Sequence, residues 1–281
     1  MNKETYHSDF KKLSKTMLGH FLKSRSDFAS YYVHRTTRPP APKRQMLVGS
    51  AVHSILLEHT EFEDTVAVYD DRCFKKGGKS LNPVPAQDFR DLHADKFVMK
   101  QEDADLVLRA CEAAVSHELG ELLSAEGITF EQPYSWVCPY SNLQCRMMPD
   151  FFADMGDHIL AYDLKTTEDI YPSGIQRTSK RFQYWLQDIH YSTGLETLFG
   201  KPVKFAFWFV EVPHPHRIAR WEYPVAAKET AVGVYERLMN DIAACYKSND
   251  WRDPWECSTN HFEFGPWDVD MPEEELEFSN E

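Results

Sequence analysis

The chain has no apolar run near the roughly 20 residues that cross a bilayer, and its polar start, Met1 to Phe10, lacks the apolar core of a signal peptide. Both absences point to a cytosolic protein with no membrane contact. Six cysteines are present, and none forms a Cys-x-x-Cys pair. Tight zinc or iron–sulfur spacing is therefore missing, and free thiols are the reading that remains. Basic residues are also in deficit, with a formal net charge of −13, which taken alone argues against a nucleic-acid partner. The deficit is uneven. Residues 268–281 hold seven carboxylates and no basic residue, and read as a disordered acidic tail. The first 44 residues carry a basic set that includes Arg35, Arg38 and Arg44. Local patches, not totals, meet phosphates.

What is there is enough for a core: 42% of residues are hydrophobic and 14% aromatic. Ser14 is a cap for a helix from Lys15, and three prolines between Arg38 and Pro42 break the chain. Apolar residues at 3.6 spacing predict a helix over Arg44–His59. Residues 70–88 read as a basic loop, and a second helix is predicted over Glu102–Ala125. From 128 the texture changes to strands: Phe130–Cys138, Gln144–Ala153 and His158–Leu164, the last two split by a turn at Asp154–Asp157. A long helix over Ser179–Phe199, a strand over Phe205–Val212 and a helix over Ala226–Lys247 follow. No repeat or linker divides the chain. The expectation is one α/β domain over 1–267, with a helical N-terminal part at about 10–125 and a core at about 128–247.

Chemistry concentrates at two strand ends. Pro149-Asp150 closes one and Asp163-Leu164-Lys165 the next. Positions i and i+2 of a strand share a face, so Asp163 and Lys165 should point into one site beside Asp150. Two carboxylates can hold a hard divalent cation, and an adjacent lysine can orient the attacking water; metal-assisted phosphodiester hydrolysis needs this set. Surface charge at strand ends is the plain alternative. Glu131 could add a carboxylate or be a solvated strand residue. His53, within an apolar helix pattern, could join the site or be a satisfied core histidine. Gln187 and Tyr191 share a helix face, with Gln183 and His190 beside them, opposite the apolar stripe. Arg146, four residues before Asp150, would face the same side of a continuous strand and reach a phosphate.

The ordered set Gly49-Ser-Ala-Val-His53, Arg146-Met-Met-Pro-Asp150, Asp163-Leu-Lys-Thr-Thr167 and Gln187-x-x-x-Tyr191 resembles the RecE-type (exodeoxyribonuclease VIII-like) exonucleases. These belong to the RecB-like branch of the PD-(D/E)XK superfamily, and the resemblance spans about residues 10–256. It implies a central mixed sheet flanked by helices. It implies a metal site of His53, Asp150, Asp163 and the Leu164 carbonyl holding Mg²⁺ or Mn²⁺, with Lys165 catalytic and Glu131 and Gln187 lining the site. Arg35, Arg38, Arg44, Arg146 and Tyr191 would lie on the DNA side. The implied activity is 5′-to-3′ digestion of linear double-stranded DNA ends, leaving 3′ strands for a RecT-like annealing protein. A homo-oligomeric ring, a bacterial host cytoplasm and a phage or prophage origin go with it. RecE carries a long N-terminal region absent here, so a stand-alone nuclease domain is implied. Arg146-Met-Met-Pro departs from the usual Arg-x-Arg-Pro, and the cysteine spacing excludes the four-cysteine iron–sulfur subtype. An endonuclease or single-strand nuclease on the same core, or a non-catalytic DNA-end-binding protein, are the competing readings.

Overall fold

A computed structural model describes residues 6, 9–39 and 46–260; Arg44 and the acidic tail lie outside them. Ser14 caps α1 (Lys15–Lys23), its hydroxyl accepting from the Met17 N–H at 3.4 Å, and Ser24 caps α2 (Arg25–Phe28) in the same way. A π-turn over Ala29–Val33 follows. Next come α3 (Met46–Leu57), α4 (Phe62–Thr65) and β1 (Val66–Val68).

The stretch expected as a basic loop is more ordered than its composition suggests. It holds a 3-10 turn at Asp71–Cys73, a bridge between Phe74 and Leu81, and the start of α5 (Pro83–Leu92). Pro83 sits in the first turn, where a missing N–H costs nothing. β2 (Phe97–Met99) pairs in parallel with β1. The helix expected over 102–125 is two helices, α6 (Gln101–Val115) and α7 (Glu118–Leu123). His117 between them takes extended backbone, and its ring caps α7 by accepting from the Leu119 N–H.

The strand region is also more broken than predicted. β3 (Ile128–Phe130) and β4 (Tyr134–Val137) are separated at Glu131, which adopts a left-handed φ of 41°. β5 (Gln144–Met147) and β6 (Phe151–Asp154) are separated at Pro149, which has no N–H to give a ladder. The turn over 154–157 joins β6 to β7 (Ile159–Thr167). The helix expected over 179–199 breaks at Gln183, also left-handed (φ 53°), into α8 (Pro172–Phe182) and α9 (Tyr184–Phe199). Then come β8 (Val203–Glu211), β9 (Ile218–Trp221) and α10 (Val225–Ser248).

The main sheet has the order β3-β6-β7-β8-β9, with β7 and β8 parallel and the other pairs antiparallel. A parallel pair needs a crossover, which α8 and α9 supply. Alternation divides the sheet's side chains between two apolar layers. Ala161, Phe205, Phe207 and Phe209 pack towards α9 and α10. Tyr162, Leu164, Trp208 and Val210 pack towards α3 and α6. β4 and β5 form a separate hairpin laid on α9.

The contact between hairpin and helix depends on Gly194. A Cβ there would stand 2.6 Å from Met147 Sδ and 2.8 Å from Trp136 Nε1. Gly194→Val is therefore expected to lower stability by about 1–3 kcal/mol, the usual cost of overpacking. Urea unfolding measures it, and an unchanged midpoint would show that the hairpin can yield.

Candidate active site

β7 is longer than its neighbour on one side. The register pairs Phe151, the first residue of β6, with Tyr162. Residues 163–167 of β7 thus run past β6 with β8 on one side only. Asp150 immediately precedes β6, and extending the register by one places it opposite Asp163. Asp150 Oδ2 accepts from the Leu164 N–H at 2.6 Å. Within a strand, the N–H and C=O of one residue lie on the same edge. The Leu164 carbonyl therefore also points to the open side, while its side chain packs into the α3 layer.

Asp163 and Lys165 share the opposite face and form an ion pair through Asp163 Oδ1. Gln187, near the start of α9, donates from Nε2 to Asp163 Oδ2. From the other flank, α3 brings His53. Its Nε2 lies 3.0 Å from Asp150 Oδ2 and its Nδ1 3.6 Å from Glu131 Oε1. Gly49 permits this approach: a Cβ there would meet Thr166 Oγ1 at 2.6 Å. Glu131 lies one residue beyond β3 rather than on it, and its N–H donates to the Asp150 carbonyl at 2.9 Å. A non-glycine residue in left-handed backbone is strained, and here it turns a carboxylate towards His53. A cleft of about 640 Å³ opens beside Gly49, Ser50, His53, Ser54 and Lys165.

The charges are set by burial and by one another. Burial, then the charge of Asp150, raises the Asp163 carboxyl to about 6 despite Lys165. Burial acts on Asp150 in the same direction, but His53, Lys165 and the Leu164 N–H outweigh it and hold that carboxyl below its ordinary value. Burial opposes charge on Lys165 and His53, yet the carboxylates around them raise both above their usual values. Lys165 is therefore a cation at neutral pH. Its Nζ also lies 5.3 Å from the Tyr184 ring centroid.

Among the described residues, no three His, Cys, Asp or Glu side chains form a ready metal cluster. The donor set nonetheless suits a hard cation. Two buried carboxylates raise each other's cost of ionisation, and a backbone carbonyl lies on the same open edge. Mg²⁺ characteristically takes one or two carboxylates and completes its shell with water and phosphate oxygens.

Three sequence expectations need correction. Arg146 and Asp150 do not share a strand, because Pro149 separates β5 from β6. Arg146 is only 5% exposed and lies beneath the rings of Tyr6 and Phe10, at 5.0 and 5.9 Å. Tyr191 is buried and hydrogen-bonded to Tyr6 rather than set on an exposed, DNA-facing surface. The expected polar face of α9 is not solvated. His190 is fully buried between Tyr235 Oη (2.8 Å) and the Arg146 carbonyl (3.0 Å), and burial lowers its ring to about 4. His53 is not a satisfied core histidine: both its ring nitrogens face carboxylates, beside Asp150 as the resemblance implied. Arg35 and Arg38 are exposed. Two residues were given no site role from the sequence: Tyr184, whose ring lies against Lys165, and Lys15, whose amino group lies in the field of Asp163 and Lys165. Only the basic character of the N-terminal region hinted at Lys15.

The family model described as "PDDEXK-like domain of unknown function (DUF3799)" matches residues 7–260. Among curated proteins, none matches. A crystal structure of a presumptive exonuclease from Eubacterium rectale has a TM-score of 0.60 at 12% identity, over 95% of this chain and 95% of that one. At that identity the likeness shows the fold alone, and the mixed sheet agrees with it. A second structure, SSO0001, is 12% identical over 69% of this chain and 84% of its own, but at a TM-score of 0.28 it carries no argument. No described helix is long and apolar enough to cross a membrane.

The raised Asp163 carboxyl makes stability depend on pH. The folded state holds this proton more tightly than the unfolded chain does, so ionisation costs folding energy. The stabilising difference is full below about 4 and is lost as pH rises through about 6. Asp163→Asn mimics the neutral acid. In EDTA it should be more stable than the parent at pH 8, by about 1–3 kcal/mol at about 1.4 kcal/mol per tenfold in proton affinity. Thermal melts should show that gain shrinking towards pH 4; a pH-independent gain would remove the charge argument.

Proposed function

The chain belongs to the family of PDDEXK-like domains of unknown function (DUF3799), and from that membership we propose that it is a divalent-metal-dependent exodeoxyribonuclease. The observation that carries the reading is the convergence of Asp150, Asp163 and Lys165 where β7 outruns β6. Asp150, Asp163, the Leu164 carbonyl and His53 are the residues that would hold Mg²⁺ or Mn²⁺. Such an ion, when bound, polarises a phosphate and lowers the pKa of its water.

The protein's own groups do the rest. Lys165, kept charged by the carboxylates, offers N–H donors to the attacking water and to a non-bridging phosphate oxygen. Gln187 fixes the second oxygen of Asp163, so the carboxylate cannot rotate away. Glu131 and His53 hold Asp150 from the opposite flank. The exposed Arg35 and Arg38 supply charge for tracking a backbone. The sequence resemblance supports the finer reading: 5′-to-3′ digestion of linear duplex ends by a homo-oligomeric ring, with the 3′ strand passed to an annealing protein.

Purified protein incubated with linear 5′-phosphorylated duplex and with closed circular duplex tests this. The linear DNA should be lost with Mg²⁺ and kept with EDTA, and the circle should survive. Lys165→Ala and Asp163→Ala should each lower the rate at least a hundredfold, the scale of a lost electrostatic or metal-binding group. Cutting of the circle would make the protein an endonuclease. No metal-dependent cleavage of either would make it a binding protein on a nuclease fold.

A further inference from the structure

Lys15 is the first residue of α1, far in sequence from the strand that carries Asp163 and Lys165. It is half-buried, and its amino group donates to the Phe182 carbonyl at 2.7 Å, at the end of α8. That end adjoins the site, because the next residues, Gln183 and Tyr184, start the helix that carries Gln187, and the Tyr184 ring lies 5.3 Å from Lys165 Nζ. Lys15 senses the charges of both Lys165 and Asp163. Asp163 is already taken up by Lys165 and Gln187. Among the described residues, no carboxylate forms an ion pair with Lys15, and its one polar contact is the neutral carbonyl. Two of its three N–H donors remain uncommitted.

The position is also wrong for the helix. A cation in the first turn opposes the macrodipole, and α1 has no acidic residue there to compensate. Burial, and then the charge of Lys165, lower its amino group to about 8. Two lysines thus flank the start of α9, Lys165 against the Tyr184 ring and Lys15 on the Phe182 carbonyl, and only Lys165 has a counter-ion among the described residues.

We propose that Lys15 is a phosphate-binding residue of the cleft, its ammonium taking a backbone phosphate of the bound DNA strand while Lys165 serves the phosphate under attack. This rests on the nuclease reading above. It makes α1 a wall of the substrate cleft as well as part of the core. The competing role is purely structural, a dock between α1 and the end of α8.

Salt dependence separates the two roles, because each phosphate contact adds a slope of about 0.9 in log affinity against log salt for duplex DNA. Lys15→Gln keeps a donor for the Phe182 carbonyl and removes the charge; Lys15→Arg keeps the charge. Binding of a labelled linear duplex would be followed by fluorescence anisotropy with Ca²⁺ in place of Mg²⁺, between 0.05 and 0.3 M salt. Lys15→Gln should bind about fivefold to tenfold more weakly at 0.1 M salt, with the slope reduced by about 0.9. Lys15→Arg should restore the wild-type slope. A wild-type slope in Lys15→Gln overturns the proposal and leaves Lys15 as a dock, and a shared loss of thermal stability in both variants would accompany that result. If the wild-type protein cleaves DNA and the slope is unchanged, only this inference fails. If the wild-type protein neither binds nor cleaves DNA, the nuclease reading falls and this one with it.

Discussion

The site depends on one hydrogen bond, from the Leu164 N–H to the Asp150 carboxylate. β7 extends beyond β6, and an unpaired strand edge inside a protein leaves backbone groups without partners. Asp150 takes the place of the missing strand at the first such group. That fixes its carboxylate against β7 at the level of Asp163, and it sets the position that His53 and Glu131 must reach. Pro149 is the other half of the constraint. It cannot donate to a ladder, so β6 cannot grow back and close the gap. A backbone shortfall and the meeting of the buried carboxylates thus have the same cause.

The electrostatics follow from that placement. Asp150 has three stabilising neighbours and stays ionised; Asp163 is more deeply enclosed and is left with the repulsion. Lys165 and Gln187 hold it without cancelling the cost. The result is a pocket in which the neutral form of one carboxyl competes with the charged form. A doubly charged ion would resolve that competition better than any single side chain present. The carboxylates, against the cost of burial, keep Lys165 protonated, which suits it to orienting and to charge compensation more than to accepting a proton.

Much of the centre could be read from the sequence because it is local. Asp163 and Lys165 are two apart on one strand, and Asp150 is one turn earlier, so period and spacing suffice. α3 and α10 were legible from apolar periodicity and β8 from its apolar run, whereas β9 was not foreseen. What was not legible is set by single residues in unusual backbone. Gln183 and Glu131 adopt left-handed conformations that no pattern announces, so one helix became two and one strand lost its end. Arg146 was misplaced because alternation was carried through Pro149. His190 and Tyr191 looked like a polar surface because the burial of α9 comes from β5 and α10, which are distant in sequence. The place of Lys15 near Lys165 was not legible either, because α1 and β7 are distant in sequence.

The crossover from β7 to β8 means that the strand carrying Asp163 and Lys165 is complete before the helix that restrains them. Gln187, 24 residues further along the chain, supplies the restraint on Asp163, and β8 completes the parallel pair. An emerging polypeptide therefore holds its acidic and basic pair without the geometry to use it. The full set of contacts around Asp163 forms only once α9 has been made and has docked. A chain cut short before α9 would lack both the Gln187 restraint and the β8 partner of the strand that carries Asp163 and Lys165.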